Sequence, residues 1–105
     1  MKLILNDKEI DILECESFKD KLFGLMFKKD FSYGICLNNC RSIHTMFMRK
    51  NIDIIMTDKQ YRVLYIYNNL AKNRIVFPKR NVYYTFELPS NLNTYSINDI
   101  LLLKK

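Results

Sequence analysis

The spacing of hydrophobic positions changes after the first fifteen residues of the chain. An apolar run at residues 2–5, a polar turn and an alternating segment that ends at Cys15 together predict a β-hairpin. Between Phe18 and Met26, apolar residues then recur at every third or fourth position, behind Ser17 as a fitting N-cap. This second pattern predicts one short helix.

From residue 33 onward the pattern is typical of strands. Alternating or continuous apolar runs predict strands over residues 33–37, 41–48, 52–57, 62–67, 82–88 and 100–103. Residues 68–80 are polar and predict a long loop, and Pro89 is expected to end the strand before it. The fold expected is mainly β with a minor α part: a compact β-sandwich or open barrel of about seven or eight short strands, with one short N-terminal helix.

Composition fits a folded domain. Seven Tyr and seven Phe supply large surfaces for burial, and 105 residues predict a single domain over residues 1–105. No apolar run is long enough to span a bilayer, and polar residues interrupt the N-terminal segment where a leader would need an apolar stretch. Three cysteines fit reduced thiols better than a disulfide framework. We therefore expect a cytoplasmic protein without a membrane span; the sequence does not indicate its oligomeric state.

The formal charge of +6 raises the question of nucleic-acid binding. The basic residues are scattered along the chain in short pairs and most of them are lysine, which serves solubility as readily as phosphate contact. Nucleic-acid binding is therefore an alternative and not the leading interpretation. It requires the basic pairs to converge on one face of the folded chain.

The segment CRSIHTMFMRKNIDIIM, residues 40–56, contains the one histidine. On a regular strand Cys40 and His44 would lie roughly 13 Å apart, whereas a nucleophile and its base need contact at roughly 2.6–3.2 Å. Cys36, Cys40 and His44 would line one face of a helix as three metal ligands, but that helix would have to include the turn-like residues 38–39. Neither a nucleophile pair nor a metal or cofactor site is predicted.

Two carboxylates sit in apolar surroundings. Asp53 lies between two isoleucines in an apolar run. Its carboxylate must therefore face solvent, cap a turn or pair with a partner such as Arg41, Arg49 or His44. Glu87 is flanked by apolar residues too, but simple alternation along a strand can place it in water. The chain has only two glycines and lacks glycine-rich phosphate loops, nucleophile elbows and paired Cys-x-x-Cys motifs, so it shows no recognised enzyme machinery.

The stretch FGLMF at 23–27, followed by CRSIHTMFMRKNIDIIMTDKQYRVLYI at 40–66, resembles the bacterial and archaeal family known as domain of unknown function 192. The family shows a Gly-Leu-Met box, a His-Thr-x-x-Met segment, an Ile-Asp-hydrophobic triplet and a Leu-Glu-Leu-Pro-like strand. The chain departs from it at Asn51, where proline is common. It also lacks three turn glycines, which are replaced by Gln60 or Lys59, by Ser90 or Asn91, and by Asn98.

The resemblance implies a small β-rich domain and supplies no established activity. It implies structural roles for Gly24, Leu25 and Met26. It also adds weight to a candidate ligand site made of Arg41, His44, Thr45, Met48, Asp53 and Glu87, which equally fits a polar network that locks the fold.

The leading interpretation is a binding module for a small ligand or protein segment near His44 and Asp53, with Arg41 as an anion contact. The alternative is an enzyme of unknown reaction, with His44 as general base oriented by Asp53 or Glu87 and with Cys40 nearby. Nucleic-acid binding through the scattered basic residues, or binding of a partner peptide at an exposed sheet edge, are further alternatives.

Overall fold

The structure, a computed structural model, describes residues 1–15, 32–41, 43–44 and 50–105. This part of the chain forms nine strands: β1 (Lys2–Leu5), β2 (Lys8–Cys15), β3 (Gly34–Asn38), β4 (Ile43–His44), β5 (Ile52–Thr57), β6 (Val63–Leu70), β7 (Ile75–Val76), β8 (Tyr84–Pro89) and β9 (Leu103–Lys104). It contains no helix, and so none that could span a membrane. The predicted helix, with Gly24, Leu25 and Met26, lies outside the described residues.

Seven of these strands form one sheet in the order β6-β5-β8-β3-β2-β1-β9. Strands β2 and β3 are parallel and the other neighbours are antiparallel. The predicted N-terminal hairpin is confirmed as β1 and β2, with Asn6 in the left-handed conformation at its turn (φ 52°). Strands β4 and β7 form a separate two-stranded sheet.

The large sheet is curled, and residues 98–101 join its two ends. These residues precede β9, which pairs with β1 at one end of the strand order, yet they bond to the start of β6 at the other end. The Val63 amide donates to Asp99 O at 2.8 Å, the Asn98 amide donates to Val63 O at 2.8 Å, and the Leu101 amide donates to Tyr61 O at 3.0 Å. Of the two architectures predicted, the structure therefore has the barrel-like one.

Apolar side chains cover both faces of the sheet. The concave face joins residues from both ends of the strand order: Leu3, Leu5, Ile10, Ile12, Cys36, Ile55, Val63, Phe86, Leu88 and Leu101. The convex face carries a second cluster: Cys15, Ile35, Leu37, Ile52, Ile54, Met56, Val76 and Val82. Strand β5 contributes to both clusters and is buried along its whole length, which explains why its sequence is apolar apart from Asp53 and Thr57.

Several strand boundaries depart from the prediction. Strand β7 lies inside the predicted loop 68–80 and pairs with β4, about thirty residues earlier in the chain. Strand β6 continues to Leu70, past its predicted end at residue 67. Only Ile43 and His44 of the predicted strand 41–48 are assigned to a strand among the described residues. Strand β9 begins three residues later than predicted, because residues 98–101 bond to the β6 end instead.

Asparagine takes the backbone conformation that glycine would otherwise supply. Among the described non-glycine residues, eight have a positive φ, namely Tyr61 and the asparagines at 6, 39, 69, 73, 81, 91 and 98. Asparagine tolerates this region better than other L-residues because its short polar side chain bonds locally. Asn91 and Asn98 thus replace two of the family's turn glycines, and Tyr61, not Lys59 or Gln60, adopts the left-handed conformation at the third turn.

Candidate functional site

Asp53 is a buried acceptor for three backbone amides. Its side chain is 1% exposed and sits on β5, in register with Leu88 of β8. Oδ1 accepts hydrogen bonds from the amides of Asn69 (2.7 Å) and Asn91 (3.1 Å), and Oδ2 accepts one from Asn93 (2.9 Å). Of the three options predicted for Asp53, the structure shows the capping one: the carboxylate fixes the loop after β8 against the end of β6.

The asparagines around Asp53 bond to one another through their side chains. Asn51 Nδ2 donates to Asn69 Oδ1 at 3.3 Å, and Asn93 Nδ2 donates to Asn68 Oδ1 at 2.9 Å. Asn93 Oδ1 also accepts the backbone amide of Tyr95 at 2.8 Å. The polar groups at this end of the sheet therefore satisfy each other, as expected of a network that fixes loop geometry.

Glu87 and Asp53 lie on opposite faces of the sheet. Glu87 pairs in register with Ile54 and Ile35, whereas Asp53 pairs with Leu88, and residues directly opposite each other share a face. Glu87 is 6% exposed, so the expectation that alternation places it in water is wrong: the convex face is covered as well as the concave one. The two carboxylates do not converge on a common cleft.

His44 lies in β4, where its backbone pairs with Ile75. Its side chain, together with all of Thr45 and Met48, falls outside the described residues. The role of His44 as a general base, and the contribution of Thr45 and Met48 to a ligand site, therefore stay predictions.

The cysteines do not share a helix face. Cys36 lies in the middle of β3, where burial raises the pKa of its thiol to about 12, so it is protonated and a poor nucleophile at neutral pH. Cys15 is buried and Cys40 is half-buried. In the ranges that the structure describes, no group of three or more His, Cys, Asp or Glu side chains is placed to hold a metal ion.

Arg41 lines an open depression of about 520 Å³ at the other end of β5. Backbone hydrogen bonds assemble this depression from three distant segments: the Lys79 amide donates to Arg41 O (3.2 Å), and the Tyr83 amide donates to Thr57 O (2.8 Å). A third bond runs from the Cys40 amide to Tyr83 O at 3.0 Å. The lining residues are Arg41, Asp58, Lys59, Gln60, Leu64, Asn81, Val82 and Tyr83.

Cations and tyrosine rings surround this depression. The Nζ atom of Lys59 lies 5.3 Å from the ring centroid of Tyr83, and that of Lys79 lies 5.6 Å from the ring centroid of Tyr65. Asp58 is the one carboxylate of the lining, and its Oδ1 already accepts the amides of residues 60 and 62, at 2.9 and 3.0 Å. The depression therefore presents more positive than negative charge to an incoming ligand.

Two lysines at one edge of the sheet are paired with carboxylates. At the edge formed by β9, β1 and β2, Lys104 bonds to Glu9 at 2.8 Å, and Lys2 lies 3.9 Å from Glu9 and 3.7 Å from Asp11. The bond from Lys104 holds the pKa of Glu9 below its usual value. In the described part of the chain, by contrast, no carboxylate forms a salt bridge with Arg41, Lys59, Lys79 or Arg80.

Asp53 and the depression lie at different ends of strand β5. Five residues separate Asp53 from Asp58 along β5 and its end, a distance of roughly 16 Å at the rise of a strand. The predicted cluster is thus divided, with Arg41 at the depression and Asp53 among the loops at the far end. Lys59, Asn81 and Tyr83 were missed by sequence reasoning, because only the backbone bonds of residues 40–41, 57 and 79–83 bring them beside Arg41.

Two solved structures share this fold. A protein of unknown function from Novosphingobium aromaticivorans DSM 12444 superposes with a TM-score of 0.71 at 15% identity, over 87% of this chain and 72% of that one. A protein from Sinorhizobium meliloti 1021, described as a candidate transcription regulator, superposes with a TM-score of 0.79 at 16% identity, over 96% and 89% of the two chains. At these identities the likeness concerns the fold alone.

Sequence comparison gives a nearer relationship. The chain is 34% identical over 89 residues to the UPF0127 protein PH1112 of Pyrococcus horikoshii, an alignment that covers 80% of this chain and 76% of that protein. Residues 2–97 match the model of the family DUF192, described as Uncharacterized ACR. The resemblance noted in residues 23–27 and 40–66 is thereby confirmed, and the chain belongs to the DUF192 family.

Proposed function

We propose that this protein is a single-domain binding module for a small anionic ligand, which occupies the depression beside Arg41. One observation carries the proposal: Arg41 and Lys59 line the same open depression, and no carboxylate of the described residues pairs with either. An anion entering there gains two charge-assisted contacts without first breaking an ion pair with those residues.

The other lining residues suit such a ligand. The guanidinium of Arg41 can bond two oxygens of a carboxylate or phosphate at once, whereas Lys59 acts as a point charge. The side-chain amides of Gln60 and Asn81 offer orienting hydrogen bonds, and the ring of Tyr83 provides a wall for an apolar or planar part of the ligand.

Asp53 has a supporting role in this proposal. Both of its oxygens accept backbone amides, so it is committed to the loops at the end of the sheet and not to a ligand. Of the residues predicted for the ligand site, Arg41 is the one that contacts the ligand in this proposal. It has the role predicted from the sequence, that of binding an anion.

Replacing Arg41 with glutamine is expected to weaken anion binding about tenfold or more without changing the stability of the free protein. The side chain is exposed and makes no ion pair with the described residues, so its loss removes ligand contacts and little packing. The measurement is calorimetric titration with pyrophosphate, citrate and adenosine triphosphate, supported by thermal shift. A ligand present at a hundred times its dissociation constant adds about 2.7 kcal/mol to the free energy of unfolding.

Lys8→Gln is the control, because Lys8 is exposed in the β1–β2 hairpin and its replacement removes one positive charge. It should bind the same ligand as tightly as the wild type does. The proposal fails if none of the three anions binds the wild type, or if Arg41→Gln and Lys8→Gln bind equally well.

A further inference from the structure

We infer that the cationic surface around the depression takes a single strand of nucleic acid along its phosphates. This inference rests on the proposed function and names a larger ligand for the same site. The surface, called here the basic face, consists of Arg41, Lys59 and Lys79 with the rings of Tyr65 and Tyr83. It also includes Arg80, which is exposed and lies in the chain between Lys79 and Asn81, a residue that lines the depression.

The basic face offers two cation–tyrosine pairs that stand apart from each other. Tyr65 of β6 is in register with Met56 of β5, which is in register with Thr85 of β8. Tyr65 is therefore two strands from β8, roughly 10 Å away, and Tyr83 lies two residues before Thr85 in the chain. Consecutive phosphates of one strand can therefore contact the cations at both rings.

The two rings lie at the same end of the sheet as the depression. Tyr65 is in register with Met56, near the end of β5. Tyr83 lines the depression just before β8, and the centroid of its ring lies 4.7 Å from that of Tyr84. Asp53 lies towards the other end of β5, roughly 16 Å away. A phosphate bound at the basic face therefore does not contact Asp53.

The chemistry of the face suits an unpaired strand better than a duplex. Both rings are half-buried and carry a lysine ammonium about 5–6 Å from their centroids. A phosphate can draw the ammonium group away from the ring and leave that ring free for a base to stack on. Only bases that are not already stacked in a duplex can use it.

The test is fluorescence anisotropy of a fluorescein-labelled oligothymidylate of about 12 nucleotides, titrated with the full chain over a series of salt concentrations. If four cations each neutralise a phosphate, the logarithm of the association constant falls against the logarithm of salt concentration with a slope of about −2 to −3. The same strand annealed to oligoadenylate should bind more weakly at every salt concentration.

The variant Lys59→Gln with Lys79→Gln is compared with Lys8→Gln with Lys105→Gln. Each pair removes two charges from +6 and leaves +4. The first pair should lower affinity tenfold or more and reduce the slope by about 1.4, since each lost phosphate contact accounts for about 0.7. The second pair should leave both quantities close to those of the wild type.

Several outcomes would overturn the inference. If the two double variants lose the same affinity, the strand is attracted by net charge and not by a site. If the duplex binds as tightly as the single strand, the bases do not stack on the tyrosine rings. If pyrophosphate binds at Arg41 but the oligothymidylate binds no more tightly, this inference fails and the proposed function stands. If neither binds, both fail.

Discussion

Replacing Asp53 with alanine is expected to lower the free energy of unfolding by about 3–5 kcal/mol. The substitution removes the acceptors of three backbone amides in a place where the side chain is 1% exposed. Each buried donor left without an acceptor costs about 1–3 kcal/mol, and partial entry of water keeps the total below the sum. The measurement is urea unfolding at equilibrium, followed by circular dichroism.

Asparagine at position 53 separates the contribution of charge from that of geometry. Its one carbonyl oxygen can replace Oδ1, which accepts the amides of Asn69 and Asn91, but its amino group would face the amide of Asn93. We therefore expect Asp53→Asn to cost about 1–3 kcal/mol, less than Asp53→Ala. Asp11→Asn is the control: that side chain is 77% exposed, and its change should cost under about 1 kcal/mol. Equal stability of Asp53→Ala and Asp11→Asn would refute the structural role.

Replacing Gly34 with alanine is expected to destabilise the protein by about 1–3 kcal/mol. A Cβ at this position would lie 2.6 Å from Leu88 Cδ2, 2.8 Å from Ile12 Cδ1 and 3.0 Å from the carbonyl oxygen of Glu87. The two methyl groups can rotate at some cost. The carbonyl oxygen belongs to the backbone of β8, which is held between β3 and β5 and cannot move without disturbing their pairing.

The same urea transition measures this effect, with Ser32→Ala as the control. Ser32 is exposed just before β3, so its change to alanine leaves the strand contacts intact and should shift stability by no more than about 0.5 kcal/mol. A Gly34→Ala protein as stable as Ser32→Ala would mean that β3 and β8 are packed less closely than in this structure.

Local patterning was enough to predict the strands whose neighbours are close in sequence or whose burial is complete. The hairpin of β1 and β2 follows from alternation around a polar turn, and β5 follows from a short segment rich in isoleucine. Pro89 ends β8, as its missing amide predicts. Asp53 was also recognised as a residue that needs partners, because a carboxylate between two isoleucines must find them.

Features made by distant segments were not visible in the sequence. Lys59 and Tyr83 are separated from Arg41 by 18 and 42 residues, and three backbone hydrogen bonds bring them together. The partners of Asp53 were equally hidden, because backbone amides carry no sequence signal. Glu87 is buried because both faces of the sheet are covered. Alternation of apolar and polar residues is also typical of a sheet with one face exposed to solvent, so the sequence did not indicate this burial.

The position of the ligand site, at the depression and not at Asp53, is tested most directly by nuclear magnetic resonance. Pyrophosphate is added to nitrogen-15-labelled protein, and the shift of each backbone amide signal is followed. We expect the largest shifts at the depression, from the amides of Arg41, Lys59, Asn81 and Tyr83. The amides of Asn69, Asn91 and Asn93, which bond to Asp53, should stay in place. Largest shifts at these three asparagines, with the depression unchanged, would contradict the account.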